Sequence, residues 1–176
     1  DFEYFDLLLN HSYYHIDTNL LELTVTSNGR FCYSDFYPLA GEGCYYQDDY
    51  YLMAYGGIIT GINKDSIADF FSDPSDFNPL NKPEKFTDTL HADCAVLSAY
   101  NDSNGGSSSP GLKINQISYA WDKPDLEDLI MLNFELINTN PHRIDSLYFG
   151  LYLDVDMMNL LKNTFEFDPS KRLAYA

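Results

Sequence analysis

Carboxylates are the functional groups this sequence holds in quantity: 27 Asp and Glu stand against ten Lys and Arg. Two of them, Asp154 and Asp156, close an apolar run of alternating residues. Period-two strand geometry puts Tyr148, Gly150, Tyr152, Asp154 and Asp156 on one face. Carboxylates two residues apart at a strand end can converge on one hard cation, with carbonyls and waters completing the roughly six to eight oxygens calcium takes. Asp102, in Asp102-Ser103-Asn104-Gly105-Gly106, joins them if its loop folds over the same edge; that loop half resembles a calcium loop. Calcium is thus the one cofactor the pattern allows, and none is required. The plainer reading of Asp154 and Asp156 is an acidic strand end facing water. Tyr148 and Tyr152 offer a second chemistry. An exposed ring is a flat apolar platform for a sugar or a peptide, and a neighbouring carboxylate accepts hydroxyl hydrogen bonds. Paired carboxylates at a suitable separation also hydrolyse glycosides, although nothing in the sequence separates an acid from a base among them.

Other constellations are weaker. His11 and His15 are four apart, but HSYYH lacks the glutamate of a zincin motif. No G-x-S-x-G, P-loop or dinucleotide fingerprint occurs. Three cysteines are too few for a disulfide scaffold. Cys32 and Cys44 flank one strand-loop-strand unit, so a bridge between them is possible in an oxidising compartment, and buried free thiols are the alternative. Cys94 has no partner in the sequence.

The elements that must position these groups read as strands. Leu20 to Thr26 alternates, and Asn28-Gly29 predicts a type I′ hairpin with a return strand carrying Phe31 and Tyr33. The Gly-rich run from Tyr51 to Ile62 fits a buried strand, with Gly56-Gly57 marking a bulge or a close backbone approach. Asn63 to Lys85 is the long irregular excursion, with one short helix expected through Ile67, Ala68, Phe70 and Phe71. Strands resume at Ala95 to Tyr100, and Asn101 to Pro110 has the composition of a flexible loop. Three long strands follow: Leu112 to Trp121, with a bulge expected near Gln116, then Leu129 to Asn138 and Ser146 to Asp154. The expected core is Leu21, Leu23, Val25, Ile130, Leu132, Phe134, Leu147, Phe149, Leu151 and Leu153. Many short strands without βαβ alternation predict an all-β fold: an antiparallel β-sandwich with one irregular excursion containing a short helix.

The succession LELTVTSNGRFCY, GEGCYY, LMAYGGIITGI, SAYNDS, GLKINQISYAW, DLIMLNFELIN and LYFGLYLDVDM resembles a domain of secreted bacterial subtilisin-like peptidases and other exported surface proteins. The resemblance spans about residues 20–176 and departs at Cys32, where Gly is usual, and at Cys44, where Phe is usual. It implies a β-sandwich in an extracellular or cell-surface protein, beside other modules of the same polypeptide, and no established activity. Residues 1–19 then read as a linker or N-terminal extension. Residues 20–176 read as the sandwich domain, cut within a strand at its C-terminal end.

Composition narrows the partners. A net charge of −17 leaves no cationic surface to displace counterions from phosphate, which argues against nucleic acid. No apolar run reaches the roughly 20 residues of a membrane helix, which argues against insertion. The expected function is a non-catalytic accessory domain acting as spacer, stabiliser or docking surface. The alternative is a carbohydrate- or peptide-binding module on the Tyr/Asp face, and a less favoured one is an Asp/Glu-dependent hydrolase.

Overall fold

The structure, a computed structural model, describes residues 12–32, 42–47, 50–72, 74–156, 164 and 166–175. Strands dominate because β-branched and aromatic residues fall in short runs between Gly, Pro, Asn and Asp. In chain order they are β1 (Tyr13–Ile16), β2 (Leu21–Thr26), β3 (Arg30–Phe31), β4 (Cys44–Tyr46), β5 (Tyr50–Tyr51), β6 (Met53–Asn63), β7 (Ser66–Asp69), β8 (Asn78–Pro79), β9 (Glu84–Lys85), β10 (Cys94–Asn101), β11 (Leu112–Ala120), β12 (Ile130–Asn138), β13 (Tyr148–Val155), β14 (Glu166–Asp168) and β15 (Leu173–Tyr175). Their pairings are antiparallel. The fold is all-β and sandwich-like, as the alternation predicts. Among the described residues no helix is long and apolar enough to cross a membrane.

β6 is the spine of an eight-stranded sheet. One flank carries β13, and the other carries β3 and β7. β3 and β4 share one flank of β2 and β1 takes the other, so that Leu23 pairs with Cys44 on one side and Ile16 on the other. The sheet thus starts at Tyr13, inside the segment read as an extension. The second sheet runs β12-β11-β10, with β8 and β9 along the outer flank of β10. Ile16, Val25, Phe31 and Ile58 of the first sheet form one buried cluster with Val96, Tyr100 and Ile114 of the second.

Two glycines let β6 hold its neighbours. A Cβ on Gly57 would lie 2.2 Å from Cγ of Phe70, and one on Gly56 would lie 2.4 Å from Cε2 of Phe31. Both rings are buried, so the spine is gripped from both faces. Arg30, opposite Gly57, ties the segment after β7 in place by donating from Nε to Phe70 O at 3.1 Å and from Nη2 to Ser72 O.

Four expectations are corrected. Ile67 and Ala68 lie in strand β7, and no helix forms there: Thr60 pairs with Ala68 and Gly61 with Ile67. Pairing with β6 satisfies the backbone of a segment too short to nucleate a helix. The turn after β2 has positive φ only at Gly29 (78°), which excludes type I′. Instead the Thr26 hydroxyl accepts the Arg30 N–H at 3.1 Å and closes the hairpin; Tyr33 lies outside the described residues. β11 has no bulge, because its register against β10 and β12 is unbroken. The pattern looked shifted because the core face carries polar residues, Gln116 and Ser118, both buried. Gln116 Oε1 accepts the hydroxyl of buried Tyr100 at 2.9 Å. The fourth correction concerns the core. Leu23 and Val25 are buried, while Leu21, Ile130, Leu132 and Phe134 are half-buried. Leu147, Phe149, Leu151 and Leu153 are 38–47% exposed. The physical reason is that β13 is an edge strand, paired only with β6 among the described residues.

Gly57→Ala is expected to destabilise the fold by about 1–3 kcal/mol through overpacking against Phe70. Gly150→Ala, with nothing within 4 Å of the added Cβ, should change stability by less than about 0.5 kcal/mol or raise it slightly. Urea denaturation of both variants measures the contrast.

Candidate functional site

β13 presents apolar side chains on both faces. On the outer face Tyr148 lies opposite Gly61 and Gly150 opposite Ile59, while Ile67 of β7 flanks Gly61 from the other side. The absent side chains at Gly61 and Gly150 leave a shallow groove of about 530 Å³ between Ile67 and Tyr148, with Ile59, Asn63 and Lys64 among its lining. Tyr148 is 69% exposed, so its ring is free to act as a platform. Tyr152 is not equivalent. It stacks on Tyr55 (centroids 5.9 Å apart), meets Phe71 edge-on at 5.1 Å and lies 5.9 Å from Phe70. It joins β13 to the aromatic cover over Gly57, and it is 37% exposed, about half as exposed as Tyr148.

On the inner face, Leu151 and Leu153 look across the sandwich at Ile130 and Leu132 of β12 over a cavity of about 290 Å³, which Leu21, Leu23 and Phe31 also line. Phe134 and Phe149 bridge the two sheets, their centroids 5.0 Å apart. Among the described residues both β12 and β13 are sheet edges, and none of those residues closes this side of the sandwich.

The three carboxylates proposed for calcium do not come together. The chain enters β13 at the end of the sandwich where Ile62, Ser109, Pro110, Asn140 and Ser146 line one cavity. Asp102 is at that end. Asp154 lies at the other end of β13, opposite Tyr55 at a register shift, and the Asp156 N–H donates to Leu52 O at 3.1 Å. Among the described residues no group of three or more His, Cys, Asp or Glu is placed to hold a metal ion.

Asp102 has an internal task instead. It is buried, and its Oδ2 accepts the N–H groups of Gly111 at 2.8 Å and Leu112 at 2.9 Å. Those bonds fix where β11 begins. Burial pushes its carboxyl pKa up, the backbone N–H groups pull it partly back, and Asp76 adds repulsion. The loop between, read as flexible, holds two 3₁₀ turns within Ser103–Ser108 that meet at a kink at Gly106. Asn104 docks it by donating to Ser75 O at 3.0 Å. His15, the described member of the histidine pair, bonds Thr24 Oγ1 at 3.1 Å and Glu22 Oε2 at 3.0 Å between β1 and β2; His11 lies outside the described residues.

Sequence reasoning missed the groove and the open side. The glycines that floor the groove were visible, but their alignment across β6 and β13 depends on register. No family model, curated protein or solved structure matches this chain.

Asp102 generates a pH prediction. Its folded pKa is raised above the unfolded value of about 3.9, so the folded state holds the proton more tightly. Its stabilising contribution is present below that value and is lost as pH rises through the folded pKa. Asp102→Asn keeps an oxygen for both amides and cannot ionise. Its stability relative to the unmutated protein should rise between pH 4 and pH 7, and an equal difference at both pH values would contradict the argument. Asp102→Ala strands two buried N–H groups and should cost about 1–3 kcal/mol at either pH. Denaturant titration at the two pH values measures both variants.

Proposed function

We propose that the chain is a non-catalytic accessory domain of an exported or cell-surface protein. Its working surface is the free edge of β13, which takes an extended, uncharged strand from a neighbouring domain of the same polypeptide. One observation carries this reading. From Ser146 to Leu153 the chain has no charged residue, and this run forms a long sheet edge with exposed apolar groups on both faces. Sheet edges are normally guarded by charged side chains, proline, bulges or brevity. The other edges follow that rule: β1 has four residues, β12 carries Glu135, and β8 and β9 have two residues each. β13 is guarded only at its C-terminal end, by Asp154 and the register shift beside it; from Tyr148 to Leu153 it has no guard. A strand laid along it gains main-chain hydrogen bonds, with specificity from alternate side chains entering flanking pockets. The outer groove beside Tyr148 and the inner cavity beneath Leu151 and Leu153 are placed to receive them. The exported location rests on the order of sequence motifs that resembles domains of secreted peptidases.

A second reading has its own observation, the exposed Tyr148 ring over a glycine-floored groove, which suits a sugar ring. Calorimetric titration separates the two. The strand probe is a peptide of the Leu147–Leu153 sequence with a Ser-Gly tail, and the sugar probe is a linear glucan oligosaccharide. Strand addition predicts peptide binding that weakens roughly tenfold or more in Leu151→Lys/Leu153→Lys, since inward charges block an edge. Tyr148→Ala should change it by less than about threefold, as a rim contact does. Oligosaccharide binding lost in Tyr148→Ala would favour the second reading. Peptide binding indifferent to the two lysines, or no binding of either probe, would overturn the first. A dimer dissociated by the lysines would assign the edge to a second copy instead.

A further inference from the structure

We propose that Cys32 and Cys44 form a disulfide that staples β3 to β4 along one flank of β2, leaving Cys94 as a free thiol. The register brings them together. The Cys32 N–H donates to Thr24 O at 2.9 Å, the Thr24 N–H donates to Gly43 O at 3.0 Å, and Cys44 is the register partner of Leu23. The chain therefore leaves β2 and rejoins it at one point, with the two cysteines on adjacent positions of the same flank. One position is about 3.4 Å of rise along the strand, short of the roughly 4.4–6.8 Å between Cα atoms that a disulfide spans, so only a small sideways offset between the two backbones is needed to reach that span. Both side chains belong to the inter-sheet core and line the same apolar cavity, where both are buried free thiols and Cys44 is close enough to perturb the ionisation of Cys32. Cys32 has φ 64°, a left-handed backbone that non-glycine residues seldom adopt and that a covalent tie would hold in place. Cys94 belongs to the opposite sheet, on β10, where it is buried.

The oxidant is a disulfide, either a small molecule of the oxidised-glutathione class or a protein disulfide. One cysteine thiolate attacks it, forming a mixed disulfide and releasing one thiolate. The second cysteine thiolate then attacks the mixed bond, closes Cys32–Cys44 and releases the other. Two cysteine thiols are oxidised, one external disulfide is reduced to two thiols, and the two protons pass to the released thiolates. Burial, and next the neighbouring Cys44 thiol, push the Cys32 thiol pKa up, so the folded protein holds little thiolate. The exchange accordingly runs while the chain is folding, and the same burial afterwards shields the bond from reductants.

The test is disulfide mapping on the unmutated protein, refolded in a buffer of reduced and oxidised glutathione. Free thiols are blocked, and the chain is cleaved after Arg30 and Glu42, which places the two cysteines on separate peptides. The expected result is one linked pair holding Cys32 and Cys44, with Cys94 blocked. The melting temperature should fall by roughly 5–10 °C on reduction. That fall should persist in Cys94→Ser and vanish in Cys32→Ser. Three blocked thiols after refolding, or a linked peptide holding Cys94, would overturn the proposal.

Discussion

Gly57 has the Phe70 ring lying where its side chain would be, and Gly56 has the Phe31 ring on the opposite face. Two aromatic rings close to within contact of a bare backbone, and no larger residue at either position leaves both in place. Most of the first sheet hangs on this grip. β6 pairs with β3, β7 and β13, and Arg30, opposite Gly57, fastens the chain that carries Phe70. Tyr152 then packs on Tyr55 and on Phe71, beside Phe70. The aromatic cover over the glycines is therefore also what holds β13 to the spine.

That attachment is one-sided. β13 gains its register from β6 and part of its packing from the aromatic cover, while its second edge is bare of partners among the described residues. Its inner leucines sit over a cavity they only half close, and its outer Tyr148 stands beside a groove floored by glycine. The apolar area that stays in contact with water there is stabilising once covered, at about 25 cal/mol per Å². This favours a strand on that edge over an empty one. The binding reading follows from the same constraint as the fold: a spine too closely gripped on its faces to be covered there, and a neighbour left open at its side.

Much of this was legible in the residues. Alternation in β2, β12 and β13, the glycine pair in β6 and the turn residues between strands all point to an antiparallel sandwich, because each reports a local preference. What failed depends on contacts distant in sequence. Gln116 reads as a break in the pattern until Tyr100 is placed across from it to share a hydrogen bond. Ile67 to Phe71 reads as helical until β6 offers its edge. The alternation of Leu147 to Leu153 correctly separates the two faces of β13, yet it cannot say whether a second layer covers the inner one. The candidate site was half legible for the same reason. Tyr148 and Tyr152 share a face, as period two requires, but only the positions of Phe70 and Phe71 decide that one side of the Tyr152 ring is packed while Tyr148 stands clear of them. Asp102 is loop-like in its sequence context, and its burial follows from the fold of the turn into β11.

The central claim, that β13 is held on one side and open on the other, is tested most directly by residue-resolved amide hydrogen exchange of the protein alone. β11, paired on both sides, should be slow throughout. In β13 protection should alternate, with amides that point to β6 exchanging slowly and those that point away exchanging near the rate of an unstructured chain. Uniformly slow exchange along β13 would contradict the account, because its free edge would already be occupied.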